Sequence, residues 1–219
     1  MTAIILDTET TDANAPEIVE VAWGEVDLGL RELSHHPARR FKPSKRISLG
    51  ALAIHHIMDE DLEGCPPSSS FRLPDDVQYL IGHNVDFDWL AIGKPDVKRI
   101  CTLAFSRKFW PEADSHTLGA MLYLLERPNA RILLRHAHSA AVDVEAAFLL
   151  LRHIFGKLGD VRSWEDVWQA SEAARVPSVM PFGKHKGMPI KDVPADYKRW
   201  LLGQADVDPY LRKALGGRS

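Results

Sequence analysis

Hydrophobic and polar positions along the first hundred residues predict a sheet of short strands. Runs of aliphatic residues, and stretches in which apolar and polar residues alternate, recur between turn-forming segments. Both patterns are typical of strands that are buried on one or both faces. Five strands are predicted: residues 3–8, 17–26, the basic region RRFKPS at 39–44, 77–82, and VKRIC at 97–101.

Apolar residues spaced three and four apart predict helices between and after these strands. One helix follows Asn84, which can cap it, with Phe87, Leu90 and Ala91 on its inner face. The longest helix candidate is HSAAVDVEAAFLLLRHIFGKLG, which ends at glycine stop signals. Strands that alternate with helices in this way indicate an α/β domain.

The pattern changes after residue 158. Residues 1–158 form the predicted α/β domain, and residues 159–219 contain two helix candidates and a hairpin candidate, VMPFGKHKGMPI. We expect a small C-terminal α+β extension whose basic and aromatic side chains contact nucleic acid, Lys184 and Lys186 among them. The alternative is a solvated hairpin whose aromatic residues only pack the small domain.

Composition excludes few functions. The 219 residues are 45% hydrophobic and 26% charged, with a formal net charge of −3, as in ordinary globular proteins. No apolar run is long enough to span a bilayer, and no secretory signal is evident. We therefore expect a cytoplasmic protein with no membrane partner and two free cysteines. The acidic balance argues against a protein that coats nucleic acid by charge alone.

Two acidic residues follow the first apolar run directly. Side chains alternate between the faces of a strand, so Asp7 and Glu9 project from the same face, roughly 6–7 Å apart. Two like charges destabilise each other unless a cation lies between them, and oxygen ligands suit Mg²⁺ or Mn²⁺. The pattern indicates a divalent-metal site. The alternative is that the strand has ended and both acids are solvated turn residues.

Two later segments carry acidic residues at predicted helix starts. Asp86 and Asp88 lie in the first helical turn after Asn84, where acids also complement the helix dipole without any function. His138 precedes the longest helix, and Asp143 lies in its early turns. The alternative, which this segment by itself favours, is a surface histidine beside a capping serine.

Taken together, these segments resemble the DnaQ-like superfamily of 3′–5′ exonucleases, in its DEDDh group. DTET is similar to the first motif of that group, HNVDFD to the second and HSAAVD to the third. The second motif selects Asp88 rather than Asp86. The resemblance implies a ribonuclease H-like fold, with a mixed five-stranded sheet flanked by helices. The catalytic positions that it implies are Asp7, Glu9, Asp88, His138 and Asp143.

The resemblance also implies a chemistry. The four carboxylates are identified as ligands of two Mg²⁺ ions, which Mn²⁺ can replace, and His138 as the general base. The reaction releases 5′-mononucleotides from a DNA strand with a free 3′ end. Thr10, His55 and Asn84 are implied contacts with that strand.

Two further stretches, ICTLAFSRKFWP and PFGKHKGMPIKDVPADYKRWLL, are similar to the bacterial exonuclease X group, which implies DNA repair or end processing. RNA trimming on the same scaffold stays open, because the motifs do not report a 2′-hydroxyl. A non-catalytic module that docks to a polymerase or repair protein is the other alternative. The chain has Asp12 and Ala13 where the family usually has Gly-Leu, which puts the binding of the terminal nucleotide in question.

Overall fold

The computed structural model of the protein describes residues 2–136 and 138–217. Within these residues the chain forms six strands: β1 (Thr2–Thr10), β2 (Ile18–Val26), β3 (Leu33–His35), β4 (Arg39–Arg40), β5 (Val77–Gly82) and β6 (Lys98–Cys101). The same residues form nine α-helices: α1 (Leu49–His55), α2 (Val85–Ala91), α3 (Thr102–Phe109), α4 (Leu118–Leu125), α5 (Arg127–Leu133), α6 (Ala140–Leu158), α7 (Trp164–Arg175), α8 (Ala195–Leu202) and α9 (Pro209–Ala214). None of the described helices is long and apolar enough to cross a membrane.

The strands form one mixed sheet with the order β3-β2-β1-β5-β6, in which β4 also pairs with β2. β1 is antiparallel to β2 and parallel to β5, and β5 is parallel to β6. The predicted mixed sheet is confirmed, but it has six strands instead of five: β4 lies in the third strand predicted at 39–44, and β3 precedes that segment and was not predicted. Pro37 lies between β3 and β4 and has no N–H for the strand ladder.

β1 is the centre of this sheet. Its residues Ile4, Ile5 and Leu6 are at most 1% exposed, and α6 packs on β1 and β2 while α2 packs on β1, β5 and β6. The parallel strands β1 and β5 end at the same edge of the sheet, so the residues that follow them lie close together.

The buried face of α2 differs from the prediction. Val85 and Asp88 are buried, whereas Leu90 is 41% exposed and Phe87 and Ala91 are only partly buried. The apolar spacing predicted the wrong buried face because this helix packs onto the end of β1 through the carboxylate of Asp88. A hydrophobic pattern does not include a buried carboxylate.

Most of α7 packs with the preceding residues. Trp164 and Val167 are buried, and the Trp164 ring lies 5.8 Å from the ring of Phe155. Ser171 Oγ accepts a hydrogen bond of 2.9 Å from Cys101 N. The chain divides into two compact units, Met1–Ser171 and Glu172–Ser219. The domain boundary after residue 158 stays a prediction.

The second unit has a small core of its own. Its buried side chains are Met180, Ile190, Val193, Leu201, Leu211 and Leu215. The predicted hairpin is a loop closed by backbone hydrogen bonds. Val179 forms an isolated antiparallel bridge with Pro189, and Met180 N donates to Met188 O at 2.9 Å.

Candidate active site

Three carboxylates meet where β1 ends. Asp7 and Glu9 point to the same side of the strand, and Asp143 approaches from the first turn of α6. One carboxylate oxygen of each lies within 4.8 Å of the others. Glu9 is only 8% exposed, and β1 continues to Thr10. The two acids of β1 are therefore strand residues, not solvated turn residues.

Asp88 adjoins this cluster and is oriented by Thr8. Its Oδ1 accepts hydrogen bonds from Thr8 N at 3.0 Å and from Thr8 Oγ1 at 2.7 Å. Thr8 lies between Asp7 and Glu9 in β1, so Asp88 adjoins the cluster, and its charge contributes to the raised pKa of Asp7. Asp86 forms an ion pair with Arg99 instead. α2 thus turns Asp88, rather than Asp86, toward the cluster.

The start of α6 brings His138 and Asp143 together. His138 has a left-handed backbone with φ of 67° and an exposed side chain. The side chain of Ser139, at the N-cap position, makes no capping hydrogen bond, so a simple serine cap does not explain this segment. The Ser139 carbonyl accepts a hydrogen bond of 3.1 Å from Asp143 N, which is an ordinary intrahelical bond at the start of α6.

Burial and mutual repulsion raise the pKa values of the clustered acids. Burial, followed by the charges of three neighbouring carboxylates, raises the pKa of Glu9 to about 8. Burial raises the pKa of Asp88 to about 7 and holds that of Asp7 well above its ordinary value. Burial also raises the pKa of Asp143, an effect that the nearby His138 opposes.

Acids crowded in this way are stabilised either by protons or by a cation. The donor atoms of the cluster are all carboxylate oxygens, which are the ligands that Mg²⁺ and Mn²⁺ prefer. Zinc sites instead use mainly histidine and cysteine. The donor set therefore fits a hard divalent cation.

A further buried carboxylate, Glu20, adjoins the site, and no sequence motif had singled it out. It pairs with Glu9 in the β1–β2 ladder and is 7% exposed. One oxygen accepts a hydrogen bond of 3.3 Å from Ala140 N, and the other lies 3.2 Å from Arg40 Nε. The alternating pattern of β2 does not predict that Glu20 binds Arg40 and Ala140, because these partners come from β4 and α6.

A cleft of about 430 Å³ opens beside the cluster, lined in part by Thr10, Ile54, His55 and Phe87. His55 Nδ1 accepts a hydrogen bond of 3.0 Å from Ile57 N, so Nε2 carries the hydrogen and donates to Thr10 O at 3.2 Å. Both ring nitrogens are thus bound to backbone, and His55 holds the end of β1 in place.

Asn84 occupies the N-cap position of α2 with φ of 70°, but its side chain makes no capping hydrogen bond. Its side chain is exposed. The other predicted contacts with nucleic acid are Lys184 and Lys186. Both lie in the hairpin of the second unit and are exposed as well.

Asp12 is neutralised by Lys45, which lies 33 positions later in the chain. Its Oδ2 lies 2.7 Å from Lys45 Nζ, and its Oδ1 accepts a hydrogen bond of 2.6 Å from Asn14 N. Lys45 also donates to the carbonyls of Asn14 and Ala15. The hydrogen bond from Lys45 lowers the pKa of Asp12. Asp12 thus lines the cleft as one half of an ion pair, not as a lone charge.

Comparisons of sequence give little. Residues 173–206, in the second unit, match a protein family described as "Putative quorum-sensing-regulated virulence factor". Comparison with curated proteins gives no match.

Comparisons of structure establish the fold. Exonuclease X in complex with 5′-overhanging duplex DNA aligns with a TM-score of 0.60 and 24% identity, over 77% of this chain and 99% of that chain. E. coli exonuclease I in complex with a dA16 oligonucleotide has a TM-score of 0.56 and 16% identity, over 95% of this chain and 61% of that chain. The nuclease domain of 3′hExo, a DEDDh family member bound to rAMP, has a TM-score of 0.55 and 14% identity, over 74% of this chain and 94% of that domain. The chain has the ribonuclease H-like fold of these exonucleases, as the sequence predicted.

Proposed function

We propose that this protein is a metal-dependent 3′–5′ exonuclease that hydrolyses phosphodiester bonds of DNA. The observation that carries the proposal is the carboxylate cluster of Asp7, Glu9 and Asp143 at the end of the central strand. Asp88, held by Thr8, adds a fourth acid beside it. A purely binding module has no need for four crowded acids that repel one another.

The four carboxylates are proposed to hold two Mg²⁺ ions, which Mn²⁺ can replace. Divalent ions held by these residues would supply activation of the attacking water and stabilisation of charge on the leaving oxygen. The repulsion that raises the pKa of Glu9 to about 8 would be relieved at the same time.

The side chains of the protein move the proton and orient the strand. His138, exposed beside Asp143, takes a proton from the attacking water, since imidazole exchanges protons near neutral pH. The water oxygen attacks phosphorus as the P–O3′ bond breaks in line, and solvent protonates the departing 3′-oxygen. The products are a 5′-mononucleotide and a strand that is one nucleotide shorter.

The cleft beside the cluster is proposed to receive the terminal nucleotide, because its volume of about 430 Å³ suits a small ligand. Ile54, which is 49% exposed, and Phe87 offer apolar surface to the base or sugar. Thr10 and Asn84 are proposed polar contacts with the strand. DNA is favoured because the exonuclease X complex holds duplex DNA with a 5′ overhang, and the likeness also favours a role in DNA repair or end processing. RNA is the alternative substrate, since the 3′hExo domain binds rAMP.

Nuclease assays on DNA and RNA oligonucleotides, labelled at the 3′ or the 5′ end, test the proposal. Asp7→Asn removes one proposed ligand, and Asp86→Asn is its matched control because Asp86 pairs with Arg99 outside the cluster. We expect the wild type to release mononucleotides from the 3′ end of DNA with Mg²⁺ or Mn²⁺. We expect no release with EDTA, and none by Asp7→Asn. Cleavage that persists in EDTA would overturn the metal mechanism. Preference for RNA would change the substrate, and no cleavage by the wild type would favour a binding protein.

A further inference from the structure

The second unit is basic, whereas the first is acidic. Residues 172–219 contain nine Lys and Arg against five Asp and Glu, a formal net charge of +4, while residues 1–171 contain eighteen against 25, a net charge of −7. The overall charge of −3 conceals this division. A basic segment attached to an acidic one indicates a polyanionic partner for the basic segment.

Aromatic rings accompany this positive charge. Tyr197 and Trp200 lie on α8 with their centroids 5.3 Å apart, and the ring of His185, from the hairpin, lies 4.6 Å from Tyr197. Trp200 is 57% exposed and Phe182 is 48% exposed. Large aromatic side chains are costly to leave in water, so this exposure favours an external partner.

The hairpin that carries the lysines is packed tightly against these rings. Gly183 has a φ of +74°, and a Cβ there would lie 2.8 Å from Tyr197 Oη. Lys186 N donates to Gly183 O at 3.1 Å, which closes the tip of the hairpin. Lys184 and Lys186 are exposed at this tip. Charges and rings are therefore held close together before any partner binds.

We propose that this surface, the basic aromatic surface, binds single-stranded nucleic acid. It consists of Lys184, His185, Lys186, Tyr197 and Trp200. Bases stack on the exposed rings and the lysines contact phosphates, a combination that tolerates any sequence. Binding at this surface requires no cleavage, so the proposal goes beyond the proposed nuclease function.

Fluorescence anisotropy with labelled dT and rU oligonucleotides tests this proposal on the full chain in EDTA. Trp200→Ala is expected to weaken binding about five- to a hundredfold, since stacking contributes that much per base, whereas Trp200→Phe keeps a ring and most of the affinity. Trp200→Leu, which keeps apolar bulk without a ring, is expected to bind as weakly as the alanine variant and replaces it if alanine prevents folding. Tyr123→Ala removes an aromatic residue of similar exposure, 47%, from α4 and is the control.

Salt dependence provides a second readout. Replacing Lys184 and Lys186 by alanine is expected to reduce the slope of log affinity against log salt by about 1.4, because two phosphate contacts are lost. Unchanged affinity of Trp200→Ala for both probes, or equal binding by the phenylalanine and leucine variants, would overturn the proposal. Because binding is measured without cleavage, a failure of the binding proposal would not affect the nuclease proposal. Conversely, a chain that cleaves nothing but binds through Trp200 would still support the basic aromatic surface.

A second inference concerns Glu20, and it rests on the proposed function. The buried Glu20 carboxylate accepts the hydrogen bond of Ala140 N, at the first residue of α6, although Ser139 occupies the N-cap position there. Its other oxygen is bound by Arg40 of β4. The acceptor for the helix start therefore comes from β2 and not from the local sequence.

We infer that Glu20 is a positioning residue for the start of α6. The segment that it anchors carries His138 immediately before the helix and Asp143 in its first turn. β2 is paired with β1 through Glu20 and Glu9. Glu20 thus fixes the distance between the acids of β1 and the two groups that α6 supplies.

Two conservative variants separate position from charge. Glu20→Gln loses the charge but keeps a side-chain oxygen at the same distance from the backbone. Glu20→Asp keeps the charge but withdraws the oxygen by roughly 1.5 Å, beyond hydrogen-bonding distance of Ala140 N. We expect Glu20→Asp to lower kcat about tenfold or more, with a smaller change in KM, and Glu20→Gln to stay closer to the wild type. Glu25→Gln, an exposed acid on the same strand, is the control.

A kcat for Glu20→Gln that is equal to or below that of Glu20→Asp would overturn the inference. The Mg²⁺-dependent rise in the urea midpoint is the readout that does not need cleavage, and we expect Glu20→Asp to reduce it more than Glu20→Gln does. If the wild type cleaves nothing, the proposed function fails, while this comparison still decides whether Glu20 positions Asp143.

Discussion

Replacing Glu9 by glutamine is expected to stabilise the metal-free protein at pH 8, although loss of a buried polar contact ordinarily destabilises a fold. Glu9 is 8% exposed and lies within 4.8 Å of the oxygens of Asp7 and Asp143. Burial, followed by the charges of Asp143, Glu20 and Asp88, raises its pKa from an ordinary 4.5 to about 8. The folded state therefore keeps a proton that the unfolded chain loses between these pH values.

The sign and size of the effect follow from this difference. Because the folded pKa is the higher one, the stability of the metal-free protein falls as pH rises from about 4.5 to about 8 and then levels off. One pKa unit corresponds to about 1.4 kcal/mol, so ionising Glu9 inside the cluster costs on the order of 4 kcal/mol by pH 8. Glutamine has nearly the same shape and no charge, so the variant avoids this cost.

Urea unfolding in EDTA at pH 5 and pH 8 measures the effect. At pH 8 the midpoint of Glu9→Gln is expected to lie about 1–2 M above that of the wild type, with an unchanged slope. Mg²⁺ is expected to stabilise the wild type more at pH 8 than at pH 5, because protons compete with the cation at the lower pH. Glu60→Gln, which removes an exposed carboxylate, is the control and should leave both midpoints unchanged.

A Glu9→Gln midpoint at or below that of the wild type at pH 8 in EDTA would refute this reasoning. It would mean that the crowded carboxylates cost the metal-free fold nothing. Identical pH dependence of the two proteins would lead to the same conclusion.

Three further substitutions test individual parts of the site. Loss of a residue that only supports a metal ligand costs roughly 10- to 100-fold in activity, and Asp88→Asn, which removes a proposed ligand itself, is expected to lower kcat by more than that. The kcat of the control, Asp86→Asn, should stay within about twofold of the wild type. Equal losses in the two variants would contradict the choice of Asp88. His138→Ala should lower kcat by about 10²–10⁴ and leave the Mg²⁺-dependent rise in the urea midpoint unchanged, and a lost Mg²⁺ response would assign this histidine to the metal site instead. Thr8→Val removes the 2.7 Å hydrogen bond to Asp88 and should lower the free energy of unfolding in Mg²⁺ by about 1–3 kcal/mol, as read from urea curves; a wild-type value would show that this contact is not needed.

Local patterns predicted most elements of the fold. The strand expected at 77–82 is β5, and the one expected at 97–101 is β6, which begins one residue later. The long helix after His138 starts at Ala140 and ends at Leu158, just before a glycine. These features depend on the residues within each segment, namely their periodicity and stop signals, so a single sequence contains the information.

Features that depend on neighbouring elements were missed or placed differently. The buried face of α2 is set by its packing on β1, and the hydrophobic pattern pointed to another face. β3 was not predicted, because its three residues, Leu33–His35, are too few to show an alternating pattern.

The sequence by itself determined that Asp7 and Glu9 share one face of a strand, because side chains alternate in any extended segment. It also determined that His138 and Asp143 flank a helix start. Only the tertiary structure decided which carboxylates meet. Thr8 holds Asp88 across 80 residues of chain, and Glu20 binds Ala140 N across 120. Such contacts depend on strand pairing and helix packing between distant segments, and local periodicity carries no information about them.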